Sequence, residues 1–157
     1  MERLQKERSN VQYLPGVPFP DNLHVCDSLA RFPQQTRRYL VVVPSHAFRT
    51  IMSLLKIDVK ISPDSTVVWA TKGLEPGSAR LLSTVAAEEL GESMKTAVIS
   101  GPTFAGEVAR DLPTALTVAS ESDPVAEDVA TWFRGNRVRA YTNPDIVGVQ
   151  IGGALKN

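Results

Sequence analysis

The feature that most constrains this chain is a pattern that occurs three times: a short apolar run ends in a polar turn and passes into a helix-forming segment. Leu40-Val41-Val42-Val43 runs into Pro44-Ser45-His46, Val67-Val68-Trp69-Ala70 into Thr71-Lys72-Gly73-Leu74, and Ala97-Val98-Ile99 into Ser100-Gly101-Pro102-Thr103-Phe104. Near-continuous apolar runs of strand length suit strands covered on both faces, as in parallel sheets. Parallel strands need crossover connections, usually helical, so the pattern calls for an α/β sheet with helices on both faces. In such a sheet the turns at the carboxyl ends of the strands gather along one edge, where ligands bind.

The rest of the chain fits that scheme. Residues 1 to 9 read as a short polar helix. Pro15, Gly16, Pro18 and Pro20 make Asn10 to Asn22 a loop. His24 to Cys26 reads as a short strand, and Asp27 or Ser28 as the cap of the short helix that follows. Tyr39 to Val43 reads as a strand buried on both faces, with Ser45 capping a helix that carries Phe48, Ile51, Met52, Leu54 and Leu55. Strands are expected at Thr66 to Ala70, Thr96 to Ile99 and Thr114 to Ala119. Helices are expected from about Ser78 to Leu90 with Gly91 as its stop, over Phe104 to Arg110, and from Asp123-Pro124 to Gly135. Arg137 to Thr142 alternates charged and apolar residues, as an edge strand does. Asp145 to Asn157 reads as a helix that contains Gly148, Gly152 and Gly153.

Bulk properties narrow the function. The 157 residues suit one domain with a piece of another, and 43% hydrophobic with 22% charged residues is ordinary globular composition. Seventeen basic residues balance seventeen acidic ones, so no basic face for nucleic acid is expected. No apolar run reaches the roughly 18 residues of a membrane helix, and stable membrane insertion is not expected. The charged N-terminal residues lack the apolar core of a signal peptide, and the expected location is cytoplasmic. One cysteine, Cys26, excludes an intrachain disulfide framework.

Several residues at the expected ligand edge invite a chemical reading. Lys72 follows a buried strand and precedes Gly73; it is either a solvated loop lysine or a cation aimed at an anionic or carbonyl ligand. Ser100-Gly101-Pro102-Thr103 is either an anion or hydroxyl site or an ordinary capping turn, with Glu107 placed to reach back to Thr103. His46 reads as a surface residue or a general base, and Phe48 as core or as contact to a cofactor ring. Three glycines in the last helix cost about 1 kcal/mol each relative to alanine, so close approach of a backbone or ligand is expected there. Lys156 lies one turn beyond Gly152 and is either a surface lysine or a base with a lowered pKa.

Taken together, Tyr13-Leu14-Pro15-Gly16 with Asn22-Leu23, Val42 to His46, Trp69 to Glu75, Ser100 to Ala105 and Gly148 to Asn157 resemble the bacterial-type NAD(P)-dependent glycerol-3-phosphate dehydrogenases. The resemblance covers essentially the whole chain and rests on five segments in the same order and spacing. It implies an oxidoreductase that uses NAD or NADP for reversible hydride transfer with dihydroxyacetone phosphate or sn-glycerol 3-phosphate, in glycerophospholipid synthesis. On that resemblance Lys156 is the catalytic lysine that takes the proton of the C2 hydroxyl, and also a substrate contact. Lys72 contacts substrate and cofactor, Gly101 and Thr103 bind substrate, Ala105 contacts the dinucleotide, and Pro44 and Phe48 form the wall near the nicotinamide. No metal is implied, and a homodimeric parent is an open expectation.

The chain departs from that family at both ends. It has no Gly-x-Gly-x-x-Gly turn and no phosphate loop, and it breaks off inside a helical pattern. The expectation is a partial doubly wound (Rossmann-like), mainly parallel sheet over residues 1–142, with residues 143–157 starting a missing helical substrate domain. The chain on its own is expected to be inactive and weakly folded. Two other readings stay open: a related ketopantoate or hydroxyacid reductase, and a non-catalytic interaction module derived from such an enzyme.

Overall fold

A computed structural model of the chain describes residues 2–135 and 137–156, the last of these by its backbone alone. Five strands form one sheet in the order β1 (Arg38–Val41), β2 (Thr66–Trp69), β3 (Lys95–Ser100), β4 (Thr114–Ala119) and β5 (Val138–Asn143). Neighbours in sequence are thus neighbours in space. β1–β2, β2–β3 and β4–β5 pair in parallel, while β4 runs antiparallel to β3, with Val98 opposite Ala119 and Ser100 opposite Thr117.

That one reversal explains why helices cover both faces. Right-handed crossovers between β1, β2 and β3 place α2 (Ser45–Leu54) and α3 (Leu82–Leu90) on the same face. The β4-to-β5 crossover has the same hand but reversed strands, so α5 (Asp123–Phe133) falls on the other face. The two cores follow the two-residue period of the strands. Val67, Trp69 and Val98 join Phe48, Met52, Leu82 and Val85 on one side. Val68, Ala97, Ile99, Leu116 and Val118 join Ala126, Val129 and Ala130 on the other. After β5, α6 (Ile146–Lys156) returns to the first face, where Ile146 and Val149 enter the α2–α3 core.

Several expected elements shift, each for a local reason. The first helix, α1 (Glu2–Glu7), is shorter than residues 1 to 9, and Arg8 beyond it takes a positive φ of 49°. No strand forms at His24 to Cys26; Ser28 caps a 3-10 turn at Leu29–Arg31, accepting from the Ala30 N–H. β1 is the first strand of the sheet order, and Leu40 within it and Val42 just after it are exposed among the described residues rather than covered. Ser45 is the first residue of α2 rather than its cap, and Pro44 holds the cap position. α3 starts at Leu82 because residues 75–80 close on themselves: the Glu75 N–H donates to the Arg80 carbonyl and the Ala79 N–H to the Glu75 carbonyl. Gly91 ends α3 with φ +98° and ψ 149°, a conformation open chiefly to glycine. α4 is only Ala105–Val108. No helix among the described residues is long and apolar enough to cross a membrane.

Candidate functional site

The turns at the carboxyl ends of β1, β2 and β3 touch one another. The segment after β2 is pinned on the α2 side at alternate residues. Thr71 Oγ1 accepts a hydrogen bond from the Val43 N–H at 3.3 Å. Gly73 has φ +112°, and a Cβ there would stand 3.5 Å from Ser45 Oγ. The Glu75 carboxylate accepts from Arg49 Nε at 2.6 Å and from a second guanidinium nitrogen at 3.1 Å.

Lys72 turns the other way. Its Nζ donates to the Gly101 carbonyl at 3.2 Å, which joins the β2 turn to the β3 turn. Gly101 is demanded by its neighbour strand: a Cβ would lie 2.8 Å from the Ala115 carbonyl oxygen. Thr103 is half-buried beside it, and Ala105 is exposed at the start of α4. Glu107 does not cap back to Thr103; the cap position is Phe104, with no side-chain cap bond, and α4 has a single turn. The carbonyl of Phe104 takes the Glu107 and Val108 N–H groups.

α6 lies across these turns. Asn143 Oδ1 accepts from the Asp145 N–H at 2.8 Å, and Asp145 Oδ1 accepts from the Gly148 N–H at 2.7 Å. That cap fills the space where a Gly148 side chain would go, so this glycine serves its own helix, not a ligand. Gly153 is the close approach: a Cβ would meet Ser100 Oγ at 2.9 Å and come within 3.9 Å of Lys72 Cγ. Gly152 faces open space. Gln150 is buried and clamps α6 to the first turn of α3. Its Oε1 accepts from the Ser83 N–H at 2.9 Å, and its Nε2 donates to Ser83 Oγ at 2.9 Å and to the Ile146 carbonyl at 3.1 Å. Lys156 ends α6 one turn past Gly153, and its side chain lies outside the described residues.

The charges around the β2 turn form a network. Arg49 also reaches Glu88 at 2.7 Å and Glu89 at 2.6 Å, and Arg80 pairs with Glu88 at 2.7 Å. Hydrogen bonds from Arg49 and then Ser78 hold the Glu75 carboxyl at about 2, below its ordinary 4.5. The Arg49 bond likewise lowers Glu88, and the three carboxylates raise Arg49.

The structure thus brings Lys72, Gly101, Thr103 and the α6 backbone together, with Pro44 exposed where β1 hands over to α2. Phe48 lies deeper than the other expected wall residue. It has no accessible surface and stands edge-on to Trp69 at 5.5 Å between ring centroids, so it packs in the core. His46 is exposed. Arg49, Glu75 and Gln150 were not singled out from the sequence. Glu75 and Gln150 sit inside the motifs quoted above, but their partners lie 26 and 67 residues away, which no local pattern reports.

Comparison with known proteins follows the same line. The family model described as "NAD-dependent glycerol-3-phosphate dehydrogenase N-terminus" matches residues 1–126. A glycerol-3-phosphate dehydrogenase [NAD(P)+] of Tolumonas auensis is 50% identical over 156 residues, 99% of this chain and 46% of the relative. The protein of that name from Escherichia coli K12 is 48% identical over 155 residues, 98% of this chain and 45% of its own length. The crystal structure of a Coxiella burnetii glycerol-3-phosphate dehydrogenase superposes with a TM-score of 0.87 at 41% identity, covering 97% of this chain and 46% of that one. The chain spans about half the length of the curated relatives it matches.

Proposed function

The chain belongs to the NAD-dependent glycerol-3-phosphate dehydrogenase N-terminus family, and from that premise we propose that the full-length enzyme carrying it interconverts dihydroxyacetone phosphate and sn-glycerol 3-phosphate. The observation that carries this reading is the contact of Lys72 with Gly101 beneath the Gly153 turn of α6, which collects three motif segments at one sheet edge. The residues present suit the nicotinamide end of NAD or NADP: an ammonium group, the exposed Pro44 and Ala105, and a glycine-lined helix above them. When bound, the dinucleotide supplies hydride transfer.

The chain's own residues do the rest. Lys156 accepts the proton of the C2 hydroxyl as the alcohol is oxidised, and in the reverse direction returns it to the developing alkoxide. Lys72 holds the oxygen-rich end of the substrate against the dinucleotide, and Gly101 and Thr103 offer backbone and hydroxyl groups to the same ligand. Residues 143–157 start a helical substrate domain, with α6 (Ile146–Lys156) as its first helix, and residues 1–142 belong to the dinucleotide-binding domain. We place the enzyme in the cytoplasm, in glycerophospholipid synthesis.

The test is a spectrophotometric assay of the full-length enzyme with dihydroxyacetone phosphate and NADPH or NADH, beside ketopantoate and simple 2-oxo acids. Oxidation of the reduced dinucleotide with the phosphorylated ketone alone is expected; a preference for a 2-oxo acid, or no turnover with any of them, sinks the reading. The 157-residue chain by itself is expected to be silent in the same assay.

A further inference from the structure

We infer that Arg49 is a positioning residue for Lys72, acting through Glu75; the inference rests on the reading of Lys72 as a ligand-binding lysine. The segment Thr71 to Glu75 leaves β2 with a bend at Gly73, whose φ is +112°, and its residues make contacts on two sides. The odd-numbered residues all meet the α2 side: Thr71 takes the Val43 N–H, Gly73 lies against Ser45, and Glu75 is gripped by Arg49. Lys72 is left to the other side, against Gly101 and the Gly153 turn.

Of the three pins, Arg49 has the most reach. One guanidinium contacts Glu75 at 2.6 Å, Glu88 at 2.7 Å and Glu89 at 2.6 Å, thereby tying α2, the Lys72 turn and α3 together. The fork of a guanidinium can hold several carboxylates at set angles, which a lysine ammonium cannot do with the same geometry. Glu75 is the least exposed of the three carboxylates, with 15% of its side-chain surface open against 35% and 23%. Between Lys72 and Glu75 stand Gly73, with its positive φ, and Leu74, and glycine is the residue that adopts such a conformation without strain. Releasing Glu75 removes the restraint that keeps the bend fixed, and a displacement of about 1 Å at a binding group costs up to about 100-fold in rate.

The experiment is a cycle of variants in the full-length enzyme: Arg49→Met, Lys72→Ala and the pair, each assayed for kcat and KM with the phosphorylated ketone and for Tm. Arg49→Met is expected to lower kcat/KM about tenfold, mainly through KM, and to add nothing once Lys72→Ala is in place, because both act through the same ammonium. Arg49→Lys should recover part of the loss. An equal further drop on the Lys72→Ala background overturns the inference and assigns Arg49 to general stability. Unchanged kinetics in Lys72→Ala would instead sink the reading of Lys72 itself. If Arg49→Met does not fold, Glu75→Gln keeps the side-chain shape, weakens the grip, and is read through the same cycle.

Discussion

The two faces of the sheet are held in different ways. On the α2–α3–α6 face, polar groups join elements far apart in sequence: Gln150 to Ser83, Arg49 to Glu75 and Glu88, Lys72 to Gly101. On the α5 face the core is Val, Ala, Ile and Leu, and the polar contacts are peripheral and exposed. Glu127 takes Arg134 and Thr142, and Arg38 lies over Trp132 at 5.1 Å and pairs weakly with Asp128. Apolar packing is non-directional and tolerates small adjustments. A hydrogen-bonded tie between distant elements fixes distance and orientation. The face that carries the proposed chemistry has the longer-range half-buried ties, Gln150 on Ser83 and Lys72 on Gly101, and that difference can be broken from either side.

The largest expected effect is structural. Phe48→Ala should cost about 3–5 kcal/mol, since it empties the space against Trp69, whereas Val129→Ala on the α5 face should cost only about 2 kcal/mol for its smaller lost volume. Urea unfolding of both variants measures the contrast; equal losses would remove the asymmetry of the two cores. Next comes Lys156→Ala, expected to lower kcat of the full-length enzyme by about 100-fold or more while cofactor affinity is kept. Near-normal turnover would take the base away from α6.

A smaller effect isolates the tie itself. Gln150→Ala should lose about 1 kcal/mol, because it removes the partner of the half-buried Ser83 N–H and hydroxyl, and it should also lower kcat by shifting α6. Normal kcat with only a lower Tm would make the clamp purely structural. The smallest effect is pH-dependent. The Glu75 carboxyl is depressed from 4.5 to about 2 on folding, so its contribution is fully present above pH 4.5 and fades as pH falls toward 2. Glu75→Gln should flatten the fall in Tm across that window. A pH profile unchanged by this variant would place the acid sensitivity elsewhere in the network.

Much of this was legible residue by residue. Pro124 at the start of α5 and Gly91 at the end of α3 mark boundaries because each is a local backbone requirement. The strand at Thr114–Ala119 stands where its apolar pattern puts it. In the Tyr39 to Val43 run, Leu40 and Val42 stay exposed among the described residues, because an apolar sequence records a preference for burial and not which group covers it. Of the three glycines in α6, sequence alone could not tell the one that makes room for its own cap from the one that lets Ser100 approach.

The sequence by itself determined the order of the five sheet strands and their crossover helices, the turns that gather at one sheet edge, and the family the chain belongs to. These follow from backbone preferences and side-chain periods that act within a few residues. Only the tertiary structure decided that β4 reverses and sends α5 to the far face, that Phe48 is core, and that Arg49, Glu75 and Gln150 hold the Lys72 turn and α6 in place. Those facts depend on which distant groups meet once the sheet has assembled, and a contact of fixed geometry between distant residues leaves no periodic trace along the chain.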